Sequence, residues 1–120
     1  MITKFKIYES TIGPPAGLIS ARDRKLNSAT LYLEEIQPVS WEEGFIECYW
    51  EDDPVIITFC FNLNTTEESY EKFDNFLKDN RLEIYKDSCH PYLYTVEVKL
   101  SEYKVKKFAD LYDNMKKYNL

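Results

Sequence analysis

Cys89 and His90 stand side by side, and a thiol next to an imidazole is the pair from which cysteine nucleophiles are built. Neighbouring side chains in a turn diverge, however. The segment Asp87-Ser88-Cys89-His90-Pro91 therefore reads as a polar hairpin turn, and a small enzyme using Cys89 and His90 is the weakest of three functional readings. His90 is the sole histidine, so any His-based or zinc chemistry would have to use it. Cys48 and Cys60 fall on opposite faces of the strands assigned below, which keeps them from joining Cys89 and His90 in one zinc site. No metal or cofactor is called for. Three cysteines without CxxC spacing predict free thiols in a reducing compartment, the cytoplasm.

Two further motifs invite chemistry. Gly13-Pro14-Pro15-Ala16-Gly17 has the glycines of a phosphate loop but not its Lys-Ser/Thr ending, and its prolines remove amide donors that a phosphate cradle needs, so it reads as a loop. Glu34-Glu35 and Glu42-Glu43 are paired carboxylates. An acid and a base need environments that drive their pKa values apart, and consecutive solvated acids without an apolar pocket do not supply them.

What these acids do form is an uneven charge. Residues 34–53 hold eight carboxylates, Glu34, Glu35, Glu42, Glu43, Glu47, Glu51, Asp52 and Asp53, and no Lys or Arg. Trp41, Phe45, Tyr49 and Trp50 lie among them. Alternation along residues 44–51 directs Phe45, Glu47, Tyr49 and Glu51 to one outward face. Aromatic anchors with carboxylates that steer a basic partner are the makings of a protein interface. The expected partner-binding set is Glu34, Glu35, Trp41, Glu42, Glu43, Phe45, Glu47, Tyr49, Glu51, Asp52 and Asp53. The competing reading is a solvated sheet edge whose acids discourage aggregation.

In size and charge the chain resembles the small acidic immunity proteins and other protein inhibitors of bacteria and their phages. That likeness implies an inhibitor that covers a basic partner such as a toxin nuclease. The alternative is an adaptor or oligomer subunit, a phage counter-defence protein included, that uses Tyr8, Tyr32 and Tyr49 on an open sheet face.

The elements that must hold these residues follow from periodicity. Period-two patterns predict strands over 3–9, 29–36, 44–51, 55–63, 81–86 and 92–100. Residues 13–25 between the first two read as a long loop. Asp52-Asp53 closes a hairpin in which Trp50 faces Val55, Cys48 faces Ile57 and Ile46 faces Phe59. Helices are expected from Thr65, with Tyr70, Phe73, Phe76 and Leu77 buried, and from Ser101, with Val105, Phe108, Tyr112 and Met115 at helical spacing. The order β-β-β-β-α-β-β-α gives an α+β fold with a mainly antiparallel sheet of about six strands, two amphipathic helices on one face and the other face partly open.

Composition bounds the rest. A chain of 120 residues suits one domain, and ten Tyr, seven Phe and two Trp supply a core. A net charge of −6 opposes contact with phosphate backbones, so nucleic acid is not an expected partner. No run is long and apolar enough to span a membrane, and Met1–Lys6 lacks the apolar stretch of a secretory signal. A monomer or weak dimer is expected.

Overall fold

The computed structural model describes residues 20–118. The element order is α1 (Ala21–Ile36), a 3-10 turn (Trp41–Glu43), β1 (Phe45–Glu51), β2 (Ile56–Asn62), α2 (Glu67–Asp79), β3 (Ile84–Cys89), β4 (Leu93–Lys99) and α3 (Glu102–Tyr118). The four strands form one antiparallel sheet in the order β1-β2-β4-β3. The described residues thus form an α+β fold with an antiparallel sheet, as the periodicity predicts, but with four strands where about six were expected and three helices instead of two. The strand expected over 3–9 and the Gly-Pro part of the long loop lie outside the described residues.

The third helix is α1, where a loop and a strand were expected. Leu26, Ala29, Thr30 and Leu33 are all buried, the i, i+3, i+4, i+7 stripe of a helix. The alternation over residues 30–34 is a short fragment of that longer pattern. Ser20 caps the helix by accepting from the Asp23 amide at 3.0 Å, and Arg22-Asp23-Arg24-Lys25 forms its first turns. Tyr32, expected on an open sheet face, instead stacks on Phe108 of α3 at 5.6 Å between ring centroids. Trp50 donates its indole N–H to Asn27 Oδ1 at 2.7 Å, which ties α1 to β1 and satisfies a buried amide.

The core lies between the helical layer and one face of the sheet. Ile57, Phe59 and Phe61 of the central strand β2 are fully buried. Phe73 of α2 meets Phe59 and Phe61 edge-on at 4.9 and 4.8 Å, and Phe61 continues the seam to Phe45 and Tyr70. The sheet's other face is closed at its centre as well, where Ile56, Thr58 and Cys60 are each less than 5% exposed. The open face expected from sequence is confined to the rim.

The hairpin register is shifted by two residues from the expected one: Trp50 faces Ile57 and Cys48 faces Phe59. The turn takes Asp52 through Val55, not two aspartates alone, and an even shift preserves the facing of every side chain. Cys48 and Cys60 accordingly occupy opposite faces. A bulge between Phe45 and Glu47 has the larger effect. It turns Phe45 into the core, at 7% exposure, and pushes Ile46 out to 47%. The sequence reading had these two the other way round.

Candidate functional site

The acidic segment occupies one edge of the sheet, from the end of α1, through the 3-10 turn and β1, to the β1–β2 turn. β1 spans about 20 Å at an ordinary strand rise, so the expected residues fall into two groups at its ends and a few along it.

At the first end stands Trp41, 79% exposed. Its backbone is held at several points. Ser40 Oγ accepts from the Glu43 amide at 3.2 Å while Glu43 Oε1 accepts from the Ser40 amide at 3.0 Å, a reciprocal cap around the 3-10 turn. Glu43 Oε2 then accepts from Lys72 Nζ at 2.6 Å and from Ser69 Oγ at 3.4 Å, which clamps the turn onto α2. These bonds, that to Lys72 foremost, pull the Glu43 carboxyl down to about 2. Gly44 closes the turn at φ 125°, against Thr65, where an added Cβ would sit 1.9 Å from Thr65 Oγ1. The exposed indole is therefore mounted on a rigid platform, with Glu42 beside it and Ile46 exposed just beyond. Glu35 is exposed six residues back at the C-terminal end of α1, where a carboxylate opposes the helix dipole. Its neighbour Glu34 is half-buried and engaged.

At the other end Asp52 is occupied. Arg22 donates Nε and Nη2 to its two oxygens at 3.1 and 2.9 Å, and Nη1 and Nη2 to the carboxylate of Glu102 at 2.8 Å each. One guanidinium thus joins the starts of α1 and α3 to the hairpin turn. The hydrogen bond from Arg22 holds both carboxyls below their usual range. Glu51 and Asp53 flank this triad, exposed and without a cation among the described residues.

Between the ends, Glu47 and Tyr49 point outward as expected but are half-buried. Burial raises the Tyr49 phenol, and burial beside Glu47 pushes the Cys60 thiol up to about 12. Of the eleven expected residues, Phe45 belongs to the core and Glu43 and Asp52 are tied up in the fold. Trp41, Glu35, Glu42, Glu51 and Asp53 remain as exposed groups. Ile46 was missed, because only the bulge exposes it. Cys89 is exposed on β3, and its sulfur contacts the backbone oxygen of His90, 4.0 Å away, not the imidazole.

Comparison with protein-family models, curated proteins and solved structures finds no match for the chain. Among the described residues no helix is long and apolar enough to cross a membrane.

Proposed function

We propose that the chain is a protein-binding inhibitor, of the immunity or antitoxin kind, that neutralises a basic partner such as a toxin nuclease in the cytoplasm. The observation that carries this reading is Trp41, an almost fully exposed indole on a turn fixed by a cap, an ion pair and a close glycine contact. A large aromatic on a backbone that is already fixed loses little backbone entropy on binding, and Trp is among the residue types most often found at the centre of interfaces. Glu42 and Glu35 on one side, and Glu51 and Asp53 along the same edge, supply the field that draws a basic surface in.

The adaptor reading has less to draw on, since Tyr32 is engaged with Phe108 and the centre of the second sheet face is buried. An enzyme reading through Cys89 lacks a hydrogen bond between its thiol and the imidazole.

The test is neutralisation of the protein encoded beside this gene. Wild type should inhibit it stoichiometrically, and Trp41→Ala should speed dissociation roughly tenfold or more, as loss of an aromatic anchor does. A Trp41→Ala variant that inhibits with unchanged residence time would overturn the assignment.

A further inference from the structure

The opposite edge of the sheet carries a second surface, remote from Trp41. β3 is exposed along nearly its whole length, with Ile84 at 47% and Tyr85 at 55% exposure, and among the described residues no strand pairs with its outer edge. β2 is buried along nearly its whole length, whereas β3 is covered at Ser88 alone and there only in part. A groove of about 590 Å³ is left between α2 and the β3–β4 hairpin. Its floor is apolar and aromatic, with Tyr70, Tyr94, Leu77 and Ile84 among its lining. Tyr94 is fixed there, its hydroxyl donating to Asp87 Oδ2 at 2.8 Å.

Among the described residues, the charged side chains lining this groove are all acidic: Glu67, Glu71 and Asp74. At i, i+4 and i+7 they make one stripe along α2, facing β3 across the floor. Glu67 has a local reason to be acidic, being in the first turn of the helix, but Glu71 and Asp74 lie beyond it. Among the described residues Asp74 has only an exposed 3.6 Å contact with Lys78, and none of those lining the groove is a cation. A strand edge without a partner among the described residues, next to an apolar trough with an acidic rim, matches one kind of occupant.

We propose that β3 and this groove dock an extended basic segment of a partner protein, which adds to the sheet as a further strand. Main-chain hydrogen bonds to β3 would supply affinity, and alternate residues would face the groove. A Lys or Arg at each of those positions would lay its methylene stem over Tyr70, Tyr94 and Ile84 and bring its cationic head to Glu71 and Asp74. A second copy of the chain fits less well: a symmetric pairing centred on Lys86 or Asp87 sets two like charges opposite one another.

The probe is a fluorescent seven-residue peptide alternating Lys and Thr, titrated into the full chain with amide chemical shifts recorded. The control has the same composition with its lysines contiguous. The alternating peptide should bind saturably, shift amides of residues 84–89 and leave residues 41–53 unmoved. Glu71→Lys/Asp74→Lys should weaken it at least tenfold, and N-methylation of alternate peptide amides should abolish binding. The proposal is overturned if the contiguous control binds equally well, if the shifts lie away from β3, or if no saturable binding occurs at millimolar peptide. It is equally overturned if sedimentation shows a stable dimer that Tyr85→Asp dissolves, since the edge would then belong to a second copy.

Discussion

Glu43 illustrates how a residue that looks like part of a binding patch can be a structural part instead. It accepts from Ser40, Ser69 and Lys72, and its carboxyl is held at about 2 where the ordinary value is 4.5. A carboxyl lowered in the folded state contributes stability in full above about pH 4.5, and that contribution is lost as the pH falls towards 2. Replacing Glu43 with Gln should therefore cost stability at neutral pH, and the gap from wild type should narrow between about pH 4.5 and 2. Urea midpoints across that range check this, and a gap that does not change with pH would speak against the clamp. Asp52 is a second such residue, because the Arg22 fork spends both of its oxygens. Neither role was legible in the sequence. Lys72 and Arg22 lie 29 and 30 residues away from the acids they bind, and nothing local in the chain announces the pairing.

At the scale of elements, β1, β2, β4 and two of the helices were readable because their patterns run for a whole element, whereas β3 runs from Ile84 to Cys89 and takes in Asp87, Ser88 and Cys89, where a turn was expected. Val55 to Leu63 is apolar almost throughout and became the central strand, while Phe73, Phe76 and Leu77 fall at helical spacing and became the buried stripe of α2. Phe59, fully buried between Phe73 and Phe76, tests this placement: Phe59→Ala should lower stability by about 3–5 kcal/mol in denaturant unfolding. A loss under about 1 kcal/mol would mean that β2 is not central. What failed was α1, where five alternating residues outweighed an eight-residue helical stripe beginning at Leu26. The bulge at Phe45 failed too, since an extra residue in a strand leaves no mark on alternation until the partner register is known. The 3-10 turn depends on Gly44, whose left-handed φ and contact with Thr65 leave no room for a side chain. Gly44→Ala should cost more than about 2 kcal/mol by thermal or urea unfolding, and a neutral outcome would mean the turn is not held as described.

Across the whole molecule, the acids of the β1 edge divide into those that build the fold and those that face solvent. The sequence located this edge but could not make the division, because charge counts do not distinguish a carboxylate clamped by Lys72 from one beside an exposed indole. It likewise gave no hint of the β3 groove, which is formed where residues of α2 from Glu67 to Leu77 meet the β3–β4 hairpin in space. In the proposed function, Glu35, Glu42, Glu51 and Asp53 steer a basic partner onto the Trp41 edge. Since these four make no ion pair among the described residues, neutralising them should leave the fold intact. The most direct measurement is the stopped-flow association rate with the partner protein that the chain neutralises, recorded against ionic strength for wild type and for the Glu35→Gln/Glu42→Gln/Glu51→Gln/Asp53→Asn variant. Electrostatic steering predicts a rate that falls steeply with salt for wild type, and for the variant a slower rate at low salt with a much flatter slope. Equal rates and equal salt slopes for the two proteins would contradict it.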